Sequence, residues 1–482
     1  MFKRLNLWNR YFNRKEQSVL LLILVFGFFV RLINSTYAQF WRDEVYIFFT
    51  TKENNFINLL LQNHWDTAHP SLYFLFLHFW QKININPIFL RLPSLIVSLL
   101  ILYLIPVLAK KINPNKALFP FLALFFYSFS LTQLSLNMVA RPYPFVIIFM
   151  ILSMILFFKF FEKQKGSGIN YILHFVLINF LVLFSDYSGI WLLISYGVFW
   201  PAYFINKRAL GKKNLFVSLI LTGIVCSILL LQLFMNLEKS LGLEVQLKPW
   251  FEAGNLFIPF LKNVNFFTGL SFFSKTAFLI GMAGAIRLLL NNKKSGIFLS
   301  AILICPIVFS YIFSLLVQPI FVGRNLLLVN IAVIFGWSYF FSFFENRLHR
   351  IILIFILFFY LLNFFKEFPG LYFTDPPYDW KGMTKIMRQE NNDITIISNS
   401  PPHMFDPLRY YLLLDSFNNK FTVYDKKNLP NLDKKTRNFY IMEFDEFLKD
   451  KKEAYLQKMR NYYFGCRVKI YNFEHVILAK CI

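Results

Sequence analysis

Apolar stretches of about 20 residues, the length that crosses a bilayer as a helix, recur along this chain from Ser18 to Phe365 with short basic segments between them. In lipid only helices and closed barrels satisfy their own backbone hydrogen bonds. A barrel would alternate polar and apolar residues along each strand, and these runs do not. The expected fold class is therefore an all-α polytopic membrane bundle. Composition agrees, with 57% hydrophobic and 20% aromatic residues among 482.

The net charge of +24 raises the question of a nucleic-acid partner, because phosphate binding needs dense Lys and Arg. The positions of those residues answer it. They cluster at Lys3 to Lys15, Lys110 and Lys111, Lys159 to Lys165, Lys207 to Lys213, Lys293 and Lys294, and Arg347 to Arg350, each in a short segment between apolar spans. This is the positive-inside pattern of a protein embedded in membrane lipid with a cytoplasmic N-terminus, and no nucleic acid is expected. The first basic segment and the apolar run after it resemble a signal peptide. The apolar part is too long, and the segment after it too charged, for cleavage, so an uncleaved anchor is expected.

Keeping the basic clusters on one side gives about eleven crossings. The first runs from Ser18 to Thr36. The next five are Ile88 to Ala109, Ala117 to Leu136, Pro142 to Phe161, Ile169 to Phe184 and Gly189 to Ile205. Leu215 to Met235 is the seventh, and Lys275 to Leu290, Gly296 to Val317, Leu326 to Phe344 and Ile351 to Phe365 complete the set. Leu72 to Trp80 is too short to cross and is expected in the outer leaflet beside Asn55 to Leu61, within an outer loop at 37–87. A second outer loop, 236–274, mixes charges with apolar residues, as an interfacial helix or a lid would.

An odd number of crossings puts the C-terminus outside. The transmembrane part is expected at 1–368 and a small α/β soluble domain at 369–482, where charges become frequent and apolar runs shorten to strand length. Strands are expected at Ile394 to Ser398, Phe421 to Tyr424, Phe439 to Glu443 and in two terminal segments, with helices at Trp380 to Glu390 and Glu446 to Tyr462. Cys226 and Cys305 read as small packing residues. Cys466 and Cys481 sit at equal distances from a turn near Asn472 to His475, so a hairpin in simple register would oppose them. They form either a cross-strand disulfide, which an oxidising outer compartment permits, or two free thiols.

The chemistry-bearing residues outside the basic clusters gather near the outer ends of the spans: Asp43 and Glu44, Asp66 and His69, Arg91, Arg141, Asp186 and Arg324. A charge at the centre of a spanning helix costs roughly 2.5 to 3.5 kcal/mol on insertion scales, so such residues line cavities or interfaces. Acidic residues among several cations suit transfer from a lipid phosphate. A hydroxyl nucleophile gives its proton to a carboxylate, while the departing phosphate is stabilised by fixed positive charge, for which Arg is well shaped. The bland readings are a loop anchor for the acidic pair, a helix cap for His69, and an interfacial anchor for Arg91.

The succession Arg42-Asp43-Glu44-Val45-Tyr46, His69-Pro70-Ser71-Leu72-Tyr73, Leu90-Arg91-Leu92-Pro93-Ser94 and Ala140-Arg141-Pro142-Tyr143 resembles the bacterial protein O-mannosyltransferase-like enzymes. These sit in the large integral-membrane glycosyltransferase superfamily C, with the aminoarabinose transferases of lipid A. Gly323-Arg324-Asn325 and Asp379-Trp380-Lys381 are similar to segments of the same group. The resemblance implies an inverting glycosyltransferase of the bacterial inner membrane. It would move a sugar from a polyprenyl-phosphate donor to a lipid, glycan or protein acceptor on the outer face.

The same resemblance makes Asp43 the catalytic acid residue with Glu44 beside it, and His69, Arg91, Arg141, Tyr143 and Arg324 candidates for donor phosphate or sugar contact. The chain departs from the family at Val139, where an acidic residue is usual, and at Asp186, where a His is usual. No cofactor is expected. Some relatives place a divalent cation at the acidic loop, but O-mannosyltransferase-like members are not expected to need one, and no zinc spacing, phosphate loop or nucleophile elbow is present. Two other classes stay open: a transporter or flippase for a lipid-linked sugar, and a non-catalytic scaffold for envelope assembly.

Overall fold

The computed structural model describes residues 8–204 except 39, 41, 62–68 and 163–168, scattered positions between 216 and 268, then 274–316, 323–373 except 345, 380–388, 394–398, 405–414, 421–425, 439–444, 468–473 and 476–481. Among these, six helices are long and apolar enough to cross a membrane, within Arg14–Thr36, Pro87–Ile112, Tyr143–Phe160, Lys293–Ser314, Gly323–Phe341 and Arg347–Phe368. Ile169–Ser185 and Ile190–Phe204 are shorter apolar helices, and Ser274–Asn291 has 18 residues. The expected crossing at 215–235 is described only at scattered helical positions between 216 and 227, and the outer loop at 236–274 falls almost wholly outside the described residues. Ser71–Trp80 is a helix of 10 residues, about 15 Å long against a hydrocarbon core of roughly 30 Å.

One expected crossing is corrected. Residues 117–136 are not a single helix but two, Leu118–Ser128 and Leu131–Asn137, bent by 62°. The carbonyls freed at such a break need donors, because lipid supplies none. Arg31, buried within the Arg14–Tyr37 helix, donates to Ser128 O (2.8 Å), Tyr127 O (3.2 Å) and its own Gly27 O (2.9 Å). Tyr360 reaches Phe126 O and Phe129 O, and Ser130 caps the second piece by accepting from the Gln133 N–H. Arg31 did not stand out in the sequence, although a lone charge inside an apolar run was the signal for it.

Ser295 reaches the Ile112 carbonyl and Asn113 the Tyr339 hydroxyl, which places the basic turns at 110–111 and 293–294 together at one end. The tightest approach joins Ser274–Asn291 to Leu327–Phe341: a Cβ on Gly284 would lie 1.9 Å from Gly336 O, and one on Gly336 2.2 Å from Gly281 O. Small residues let the two backbones meet, the usual way of packing helices in lipid, where apolar surface gains little by leaving the tails.

The opposite end carries a second, separate apolar core. Phe40, Val45, Phe48 and Phe49 of the Arg42–Glu53 helix region, Leu59, and Tyr73, Phe74 and Leu77 of the Ser71–Trp80 helix join Trp380, Met383, Phe405, Leu408, Tyr410 and Tyr411 from the C-terminal part. Tyr411 accepts the Phe40 N–H (2.8 Å), and Tyr410 stacks on Phe40 and donates to Ile85 O (2.7 Å). The C-terminal helices Trp380–Arg388 and Asp406–Leu414 thus share a core with the helix that bears the acidic pair.

The described strands β1 (Ile394–Ser398), β2 (Phe421–Asp425), β3 (Phe439–Phe444), β4 (Val468–Phe473) and β5 (Val476–Cys481) form one mixed sheet in the order β2-β1-β3-β5-β4. β1 is parallel to β2 and β3, while β5 is antiparallel to β3 and β4. The β4–β5 register pairs Phe473 with Val476 and Val468 with Cys481. Val468 therefore takes the position that the symmetric turn assigned to Cys466, which lies outside the described residues, as does 446–462.

Candidate functional site

Asp43 and Glu44 are not in a loop. They occupy the first turn of the Arg42–Glu53 helix, where the helix dipole favours carboxylates. Neighbouring residues on a helix point about 100° apart, so the two acids face different surroundings. Glu44 is fully buried. Its Oε1 accepts from Arg91 Nε (2.8 Å) and the Ala140 N–H (2.6 Å), and its Oε2 from Arg91 Nη2 (2.5 Å). Arg91 in turn donates through Nη1 to Ser35 O and Ala38 O and lies over the Phe40 ring.

This is a bidentate pair sealed between helices. Glu44 is thus enclosed by Arg91 and the Ala140 N–H, and the Arg91 guanidinium donates to Glu44, Ser35 and Ala38. Arg91 is not a snorkelling anchor, since it is 2% exposed. What the pair does is structural. It ties the acidic helix to the Pro87–Ile112 helix and to the backbone at Ala140, one residue before Arg141.

Asp43 faces the open side, with its side chain 21% exposed. Its Oδ2 lies 3.2 Å from Arg324 Nη1 and 3.5 Å from Arg141 Nη2, and its backbone carbonyl accepts from Arg141 Nη1 at 3.2 Å. Arg324 projects from the short 3-10 turn Gly323–Leu326 and is half exposed, whereas Arg141 is buried. Arg141 Nη2 also meets the Tyr143 hydroxyl (3.4 Å) and His69 Nε2 (3.0 Å). Behind His69, Nδ1 lies 2.9 Å from Asp186 Oδ2, and Asp186 Oδ1 accepts the Ser188 N–H.

Five of the candidate residues, Asp43, His69, Arg141, Tyr143 and Arg324, thus converge, although 281 positions separate Asp43 from Arg324. Asp186, where the family usually has a His, belongs to the same cluster. Burial pushes its carboxyl up, but the His69 and Ser188 hydrogen bonds outweigh that and hold it below the usual carboxylate range. Asp66 lies outside the described residues. Among the described residues no three His, Cys, Asp or Glu side chains gather as a metal site. Two guanidiniums against one carboxylate suit an anion better than a divalent cation, which wants several oxygen ligands.

No protein-family model matches the chain, and no curated protein matches it. Solved structures do. The apo oligosaccharyltransferase of Archaeoglobus fulgidus superposes with a TM-score of 0.56 at 11% identity, over 95% of this chain and 74% of that one. ArnT from Cupriavidus metallidurans, bound to undecaprenyl phosphate, gives 0.55 at 10% identity over 95% of this chain and 97% of that one. The chain shares its fold with these oligosaccharyltransferase and ArnT structures. The zinc and sulfate complex of the Archaeoglobus enzyme gives 0.53 at 13% identity, and this chain spans 62% of its length. At such identities the likeness is one of architecture, and the role of each side chain rests on its own surroundings.

Proposed function

We propose that the chain is a multi-pass glycosyltransferase of the bacterial inner membrane, moving a sugar from a polyprenyl-phosphate donor to an acceptor hydroxyl outside the cytoplasm. One observation carries the reading. A carboxylate and two arginines meet at the end of the bundle opposite the basic turns, and the positive-inside rule assigns those turns to the cytoplasm. Superfamily C architecture, and the undecaprenyl phosphate bound to one neighbour, support a lipid-linked donor.

In this reading the donor phosphate draws the Arg141 and Arg324 N–H groups that now face Asp43. The acceptor oxygen attacks the anomeric carbon and gives its proton to Asp43. The bond from that carbon to the phosphate oxygen breaks, its electron pair leaves with the phosphate, and the configuration at carbon inverts. The two guanidiniums meet the charge as it develops. No step passes through a metal ion. The acceptor is a lipid, glycan or protein, which the shape of the open side must select.

The reading is tested with the purified chain in detergent, supplied with a polyprenyl-phosphate sugar and envelope extract. A new glycoconjugate and free polyprenyl phosphate are expected. A flippase would make neither in detergent, where no second compartment exists, and donor left intact would overturn the proposal.

A further inference from the structure

The row Asp186, His69, Arg141 has a polarity that the hydrogen bonds fix. A guanidinium has only donors, so the His69 atom 3.0 Å from Arg141 Nη2 must be the accepting lone pair of Nε2. The ring proton is then on Nδ1, 2.9 Å from Asp186 Oδ2. The other Asp186 oxygen is held by the Ser188 N–H at 2.8 Å, which locks the carboxylate's orientation at the head of the 3-10 turn Tyr187–Gly189. Among the described residues, the charged and titratable groups that meet the ring include Asp186 from that turn and Arg141 and Tyr143 from 141–143, with Asp43 of the acidic helix beyond Arg141. Arg141 and Asp186 are each 4% exposed, so water does not compete freely for these bonds.

We propose that Asp186 and His69 are positioning residues: Asp186 holds the ring proton on Nδ1, and the freed Nε2 aims the Arg141 guanidinium at the donor phosphate. The inference rests on the proposed role of Arg141 as a phosphate contact. His69 then acts on the donor through Arg141 rather than by touching it, and Asp186 acts through His69. Without Asp186 the proton is free to move to Nε2, where it opposes another donor and releases Arg141. Second-layer carboxylates orient metal-bound imidazoles by the same logic.

The test is equilibrium binding of a polyprenyl phosphate without sugar to the purified full chain in detergent, with donor KM and kcat measured beside it. Asp186→Ala and His69→Ala should each weaken binding about tenfold, the scale of one hydrogen bond to a charged group, and the double variant should be no weaker than either. Donor KM should rise more than kcat falls. Asp186→Asn keeps an accepting oxygen and should stay within about threefold of the natural protein.

His69→Gln offers Arg141 a carbonyl oxygen that needs no Asp186. It should bind nearly as well as the natural protein, and Asp186→Asn or Asp186→Ala should then change nothing. Unchanged binding in Asp186→Ala, losses in the double variant that multiply, or an undiminished Asp186 effect in the His69→Gln background would each overturn the proposal. If Asp186→Ala does not fold, the Asn and Gln variants decide it by the same comparison. Arg141→Ala separates the two levels. Full binding in that variant sinks the phosphate reading itself, whereas lost binding there with intact binding in Asp186→Ala sinks only the positioning role.

Discussion

Two adjacent carboxylates in this chain have opposite fates, and one residue's rotation on a helix decides between them. Sequence marks Asp43 and Glu44 together because both come after the first apolar span, but it carries no information on which way each points. The Glu44 carboxylate completes a buried pair with Arg91, and breaking such a pair strands a charge at a cost of about 3 to 5 kcal/mol. Glu44→Gln should therefore lower the melting temperature in detergent markedly, whereas Asp43→Asn should leave it nearly unchanged; equal melting of both variants would contradict the assignment. Asp406 offers a pH test at the same scale. Burial, helped by Glu53 and opposed by Arg409, pushes its carboxyl up to about 6. A raised carboxyl favours the folded state while protonated, so the stability it contributes is full below the ordinary aspartate value and is lost as pH rises through about 6. Melting temperature should decline between about pH 4 and 6 and level off above that, and Asp406→Asn should flatten the decline.

At the scale of elements, apolar length locates the spans well and their interruptions poorly. The spans near Pro87, Tyr143 and Lys293 are legible because length and hydropathy alone define a crossing. The break after Ser128 is easily passed over, because the hydroxyl residues Ser128, Ser130 and Thr132 are too mildly polar to interrupt the apolar run. Its local signal is Ser130-Leu131-Thr132-Gln133, a capping-box pattern, and its distant one is Arg31, which supplies the missing donors. The Cys481 register fails for a related reason. A symmetric turn would oppose it to Cys466, but the hairpin closes at Phe473 and Val476. The glycine contact between Ser274–Asn291 and Leu327–Phe341 gives a direct test. Gly336→Ala forces a methyl against the Gly281 carbonyl, and overpacking of this kind costs about 1 to 3 kcal/mol. The variant should melt measurably earlier in detergent, and unchanged melting would show that the helices separate without cost.

Across the whole molecule, sequence reaches the membrane body and the identity of most cluster residues but not how the C-terminal part meets them. That contact is set by pairs such as Phe40 with Tyr411, 371 positions apart, and no local pattern announces it. The helices at Trp380–Arg388 and Asp406–Leu414 cover the apolar back of the acidic helix, so the C-terminal part supports the site. Truncation after Phe373 would expose Phe40 and Phe48 and should abolish transfer together with polyprenyl-phosphate binding. A truncated chain with full transfer activity would make the C-terminal part a mere docking element. The central claim is that Asp43 takes the acceptor's proton while the arginines hold the phosphate. A positioned base accounts for roughly a hundred- to ten-thousand-fold in rate. The most direct measurement is the transfer rate of purified Asp43→Asn at saturating polyprenyl-phosphate sugar, with polyprenyl-phosphate binding measured on the same sample. The account predicts a rate at least a hundredfold lower with binding retained; more than about a tenth of the natural rate would contradict it.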